Sequence, residues 1–137
     1  MTVDPGPAPD GQRQQPESGD LHISLTVGST AHRATLRDTP AGRDFAALLP
    51  LNLTLKDFAG TEKISDLPSR LSTANAPTAA AADAGDIAFY APWGNLAIFY
   101  RASGYAQGLI VFGRLQTGTD HLAAATGDVP VTIAVAS

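Results

Sequence analysis

Apolar and polar residues alternate with a period of two along much of this chain. Leu21, Ile23, Leu25 and Val27 interleave with His22, Ser24 and Thr26, the pattern of a strand with one buried face. Gly28-Ser29-Thr30 supplies a turn, and residues 31–36 are predicted to return as the hairpin partner. Thr39-Pro40 then reads as an N-cap followed by proline in the first helical turn, opening a short helix through Phe45, Leu48 and Leu49 that Pro50 stops. Leu51, Leu53 and Leu55 alternate with Asn52, Thr54 and Lys56 as a further strand, and residues 58–64 continue as a loop or short strand. Residues 66–71 carry no period and are expected to be an irregular connection.

The densest pattern lies in residues 85–101, GDIAFYAPWGNLAIFYR. Two apolar runs, 87–91 and 96–100, flank Pro92-Trp93-Gly94-Asn95, so the segment predicts a hairpin around the chain's single tryptophan. Before it, the alanine-rich residues 74–84 are interrupted by Asn75 and Pro77 and followed by Gly85, which predicts a surface loop with one helical turn. After it come a polar loop at 102–107 and an apolar strand at 109–115. A short helix over about 120–125 capped by Thr119 and ended by Gly127 follows, and then a closing strand at 129–135 rich in β-branched residues. About seven strands with two short helices predict a mainly β fold, and a closed barrel is the arrangement that buries such strands without leaving open edges.

Composition narrows the possible chemistry. Residues 1–20 hold four of the ten prolines and almost no apolar side chain, so they are expected to be a disordered tail preceding a single domain over 21–137. The absence of cysteine excludes disulfides, thiolate metal sites and cysteine nucleophiles. A net charge of −4, with nine scattered basic residues, gives no footprint for a nucleic acid partner. No apolar run approaches the ~20 residues of a membrane span, and the N-terminus lacks a signal-peptide pattern, so the expectation is a cytoplasmic protein with no membrane partner. Nothing in the sequence speaks to oligomeric state.

No G-x-S-x-G elbow, Gly-rich phosphate loop or H-E-x-x-H is present. His22, His32 and His121 lack metal-ligand spacing, so neither a metal nor a cofactor is expected. Asn52-Leu53-Thr54 matches a glycosylation sequon only formally, its asparagine lying in an amphipathic strand. Glu62-Lys63 reads as a surface pair, because neighbouring strand residues face opposite ways. Tyr90 and Tyr100, on adjacent strands, are either two phenols aimed at a ligand carbonyl or cross-strand packing. Asn95 is either an amide over a pocket or a turn residue chosen for its tolerance of unusual backbone angles.

Several strings resemble a known family. LLPLNLTLKDFAGTEKI at 48–64, GDIAFYAPWGNLAIFY at 85–100, LIVFGRL at 109–115 and the terminal VTIAV strand are similar to the compact cyclophilin-like proteins of bacteria. That resemblance implies a closed cyclophilin-like β-barrel with two short helices. Prolyl-isomerising cyclophilins present an arginine, within an F-H-R-type motif, on a strand after the first helix; the matching residues 51–64 contain none. Lys56 and Lys63 lack the planar fork that arginine offers a twisted amide. Of the family's site only the apolar half is implied here, as Phe99 and Phe112 with Leu96 or Leu109 nearby.

The expected function is a binding module whose aromatic-lined barrel mouth holds a hydrophobic small molecule or peptide without prolyl isomerase chemistry. Tyr90, Trp93, Asn95, Phe99, Tyr100 and Phe112 are the candidate ligand-binding residues, and no catalytic residue is assigned. The alternative is a cofactor-independent isomerase or cyclase acting on a hydrophobic small molecule, for example in a biosynthetic pathway, in which shape and one or two hydrogen-bond donors suffice. A weak peptidyl-prolyl isomerase is the third reading.

Overall fold

The structure is a computed structural model that describes residues 19–136. The predicted disordered tail therefore lies almost entirely outside the described residues. Ten strands and two helices follow in order: β1 Leu21–Val27, β2 Thr30–Leu36, α1 Pro40–Ala47, β3 Leu51–Phe58, β4 Glu62–Asp66, β5 Ala79–Ala80, β6 Asp86–Tyr90, β7 Asn95–Phe99, β8 Ala106–Gln107, β9 Leu109–Leu115, α2 Thr119–Ala124 and β10 Val129–Val135. Eight strands close a barrel in the order β1-β10-β3-β4-β7-β6-β9-β2, while β5 and β8 form a separate two-stranded ribbon. Every pairing is antiparallel.

Closure leaves none of the eight barrel strands at a sheet edge, and the period-two pattern sorts side chains between an inner and an outer face. Ile23, Leu25, Leu55, Phe89, Leu96, Ile98, Phe112 and Ile133 point inward and are fully buried. The interior is a packed core. The two helices close opposite mouths: α1 joins the end of β2 to the start of β3, α2 joins the end of β9 to the start of β10, and β2 runs antiparallel to β9. Phe45 of α1 packs on Phe112 with ring centroids 5.0 Å apart, and Leu122 of α2 is likewise buried. As its sequence suggests, α1 is capped by Thr39, whose hydroxyl accepts from the Gly42 N–H at 3.1 Å. The second helix instead takes Gly118 as its N-cap, with no side-chain cap, and begins at Thr119.

Two segments differ from their sequence reading. The alanine-rich stretch supplies a strand, β5, rather than a helical turn: Ala79 pairs with Gln107 and Ala80 with Ala106. Small side chains allow this ribbon to lie close over the outer face of the sheet, where Ala82 packs with Ala88, Ala97, Phe99 and Leu109 in a second, smaller core. Lys63, expected at the surface, is only 2% exposed. Its Nζ donates to the Ala125 carbonyl at 2.9 Å and lies 3.4 Å from Asp57 Oδ1, so the cation is held by the end of α2 and a carboxylate.

Candidate functional site

Between β4, β6, β7 and β9 the outer face carries a pocket of about 240 Å³. Register explains it. Ile64 pairs with Ala97, which pairs with Ala88, so two alanines occupy the centre of the outer face. Around them stand larger side chains: Phe99 opposite Glu62, and Tyr90 flanked by Asn95 and Leu109. Large residues around small ones leave a hollow, and Ser103, Gly104 and Ala106 of the ribbon segment wall it on one side.

The roof comes from the predicted hairpin turn. Gly94 takes the left-handed conformation the turn requires, at φ 69°, and Ala91 donates its N–H to the Gly108 carbonyl at 2.9 Å. At Gly108 a Cβ would sit 2.7 Å from Pro92, so glycine permits this close approach. The turn is thereby held against the start of β9, and Trp93 folds back across the face. Its ring stands 5.3 Å from both Phe58 and Tyr90, at 88° to the first and 84° to the second, and it remains 56% exposed. Tyr105 adds another exposed ring, at 82%.

Besides Ser103, whose hydroxyl accepts from the Ala82 N–H and donates to the Gly104 carbonyl, two polar side chains break this apolar lining. Asn95 is 3% exposed, and its Oδ1 is buried with no hydrogen-bond partner among the described residues. An acceptor left in that state costs free energy, on the order of 1–3 kcal/mol. Glu62, at the other end, lines the pocket beside Phe58 with no ion-pair partner among the described residues. Burial pushes its carboxyl above the usual glutamate value. Glu62 pairs with Phe99, four residues along β7 from Asn95, so the two polar groups are anchored about 13 Å apart on the backbone.

The sequence candidates divide between the faces. Tyr90, Trp93, Asn95 and Phe99 line the pocket together. Asn95 is the first residue of β7 and pairs with Tyr90, and the unusual backbone angle falls to Gly94, so turn conformation does not account for the asparagine. Phe112 is excluded from the pocket because it points into the barrel against Phe45. Tyr100 is excluded too, and it makes no pair with Tyr90: it follows Phe99 past the end of β7 and its hydroxyl donates to Asp57 Oδ1. That bond holds the Asp57 carboxyl below the usual range and the Tyr100 phenol above it. The expected position at a barrel mouth is replaced by one on the outer wall, since the interior is filled and both mouths are closed by helices.

Sequence reasoning placed Glu62 on the surface and assigned Phe58 no role. The signal for both was the Ala59-Gly60-Thr61 turn, which brings Phe58 opposite Glu62 in a β3–β4 hairpin. Away from the pocket, His32 and His121 do converge, Nε2 to Nδ1 at 2.8 Å, despite their separation in sequence. Burial and then the charge of His121 lower the His32 pKa. Among the described residues no group of three or more possible metal ligands forms, and no helix is long and apolar enough to cross a membrane.

A closed antiparallel barrel with two helical plugs and an apolar hollow on its outer wall is the class of protein that fold and geometry define. The sequence profile of the Cyclophilin-like family matches residues 25–134, and the chain belongs to that family. The solution structure of a hypothetical protein from Archaeoglobus fulgidus is similar in fold, with a TM-score of 0.60 at 15% identity over 90% of this chain and 100% of that one. No curated protein matches the chain.

Proposed function

We propose that this protein is a binding module that holds a hydrophobic small molecule in the outer-face pocket beneath Trp93, without prolyl isomerase chemistry. The observation that carries this reading is the apolar hollow itself, lined by Tyr90, Phe99 and Leu109 around the small Ala97, with the half-exposed ring of Trp93 over it. A ligand with an apolar body fits that lining. The volume is below the roughly 300–1,000 Å³ of a drug-sized site, which favours a small molecule over a peptide. The ligand is met in the cytoplasm and needs no cofactor, nucleic acid or membrane.

The test is a screen of small apolar molecules by the emission of Trp93, the single tryptophan, which is half in solvent and will shift to shorter wavelength when a ligand covers it. Binding that Trp93→Ala weakens several-fold supports the reading; a panel that never moves the emission of the folded protein refutes it. A protease-coupled proline-peptide assay is expected to show no turnover comparable to a prolyl-isomerising cyclophilin, since residues 51–64 supply no arginine.

One observation favours a cofactor-independent enzyme as the second reading. A glutamate raised in pKa at the edge of an apolar pocket is suited to move a proton to or from a bound substrate, so an isomerisation or cyclisation would place Glu62 as acid or base. Loss of turnover with retained binding in Glu62→Gln would separate this from binding alone.

A further inference from the structure

We propose that the His32–His121 pair is a proton-operated latch: it straps α2 across its barrel mouth while the two imidazoles share one hydrogen-bonding proton, and it releases the helix when both rings are protonated. The device is separate from the outer-face hollow and does not depend on what binds there.

The pair has the geometry of a hydrogen bond. His32 Nε2 and His121 Nδ1 are 2.8 Å apart, and the ring centroids, 5.1 Å apart, are separated by close to that distance plus the two ring radii. The two nitrogens therefore lie near the line of centres, each aimed at the other. A metal held between them on that line, with bonds of about 2.0 Å, would need the nitrogens about 4 Å apart, so the spacing suits a proton and not an ion. Neutral imidazoles satisfy the contact with one N–H donor and one acceptor, and a single added proton leaves a charge-assisted N–H···N bond. With both rings protonated each nitrogen carries a hydrogen, the bond is lost, and two like charges face each other.

Topology fixes what the latch holds. The strand that carries His32, β2, and the strand that carries Lys63, β4, lie four strands apart in either direction around the eight-stranded ring, so α2 is tied to opposite sides of one mouth. On the β4 side the buried Lys63 donates to the Ala125 carbonyl at 2.9 Å, and on the β2 side the tie is the histidine pair. Between the two ties Leu122 is fully buried. The entry to the helix is a pivot. The Gln116 and Thr117 N–H groups both donate to the Arg33 carbonyl, holding the chain to β2 just before Gly118, which takes the left-handed conformation at φ 96°. A Cβ at Gly118 would lie 2.4 Å from Cγ of His32, so the imidazole rests on the residue from which α2 starts, where no side chain caps the helix.

The charged surroundings leave the response to the pair. Among the described residues, Asp120 stands beside His121, and Arg33 and His22 border the hollow that His32 shares with β1. Arg114, which approaches the start of α2 beside Gly85, is paired with Asp86 at 2.8 Å, and Lys63 at the far end lies 3.4 Å from Asp57. Of these only Asp120 favours a protonated pair. Burial and then the charge of His121 hold His32 below the ordinary histidine value. A folded pKa below the unfolded one gives stability that is full above the ordinary value, about 6.5, and is lost as pH falls through the folded one, so the latch opens in mild acid.

Hydrogen exchange of the full chain, read by mass spectrometry at about pH 7.5 and about pH 5 and corrected for the intrinsic rate at each, tests the latch. Peptides over residues 118–126 are expected to lose protection by at least about threefold at the lower pH, while those over α1 keep theirs. His121→Gln, and from the other side of the pair His32→Gln, should remove this pH dependence; His22→Gln should retain it. Unchanged protection of α2 in acid, equal losses in α1 and α2, a response that survives in either variant of the pair, or one that His22→Gln abolishes would overturn the proposal.

Discussion

The two faces of the β6–β7 hairpin make opposite use of the same ten or so residues. Inward, Ile87, Phe89, Leu96 and Ile98 are large and interlock with Phe112 and its neighbours. Outward, Ala88 and Ala97 are small, and the rings that could fill the space above them stand at its edges. A face composed of uniformly large side chains packs to crystal-like density, whereas one that places small residues among large ones keeps a hollow that the rest of the fold does not need. Close packing is thus concentrated on one side of a single sheet and the hollow, with the binding proposed for it, lies on the other, so substitutions on the two sides should have separable effects.

The largest effect is expected on the inner side. Ile98→Ala removes buried methylenes from a site with no slack and should cost about 2–5 kcal/mol, seen as a fall in Tm on the order of 10 °C. A Tm within a few degrees of wild type would mean that the interior is looser than its burial suggests.

Matched insertions sharpen the contrast. Ala34 and Ala97 are both buried alanines, the first in the interior cluster and the second on the pocket floor. Ala34→Leu should overpack and destabilise by about 1–3 kcal/mol. Ala97→Leu has the pocket to grow into and should cost less than about 1 kcal/mol while abolishing binding of the tryptophan-reported ligands. Equal destabilisation in denaturant titrations would erase the distinction between the faces.

Trp93→Ala should change Tm by less than about 4 °C, because more than half of the ring is already in solvent, yet weaken binding several-fold. Unfolding of this variant would make Trp93 part of the structural side.

The smallest effects are electrostatic. Burial raises the folded pKa of Glu62 above its unfolded value, so its contribution to stability is fully present at low pH and is lost as pH rises through the folded pKa. Glu62→Gln, uncharged throughout, should therefore gain slightly in Tm relative to wild type as pH rises from the ordinary glutamate pKa through the folded one, with no further change above it. For Asp57 the sign reverses. The Tyr100 hydroxyl lowers its folded pKa, giving stability that is present above the ordinary aspartate value and lost as pH falls through the folded one. Tyr100→Phe should lower Tm by about 1 °C at neutral pH, with the deficit closing in acid; a deficit constant with pH would assign it to packing rather than to the carboxylate.

Local pattern carried much of this fold. Strands such as 109–115 and 129–135, the capped helix after Thr39 and the hairpin around Trp93 were legible because period, turn chemistry and capping are properties of contiguous residues. The ribbon strand at Ala79–Ala80 was not, because a two-residue strand in an alanine run exists only where residues 106–107 are brought beside it. Lys63 reads as a surface residue in any sequence, and only the Ala125 carbonyl and Asp57 explain how its charge is buried.

The site divides along the same line. Tyr90, Trp93, Asn95 and Phe99 could be chosen from sequence because they share one hairpin and, at Tyr90, Asn95 and Phe99, one alternation. Tyr100 and Phe112 could not be sorted from them by residue type: parity puts Tyr100 on the other side from Phe99, and Phe112 faces Phe45 across the interior. Phe58, Glu62 and Ile64 arrive from a different hairpin through the β4–β7 pairing, a contact between segments more than thirty residues apart. The sequence by itself determined most of the stretches that become barrel strands and which face of each is apolar. Only the tertiary structure decided that the hollow lies outside the barrel, because that depends on which strands close beside one another and on whether helices have already filled the ends.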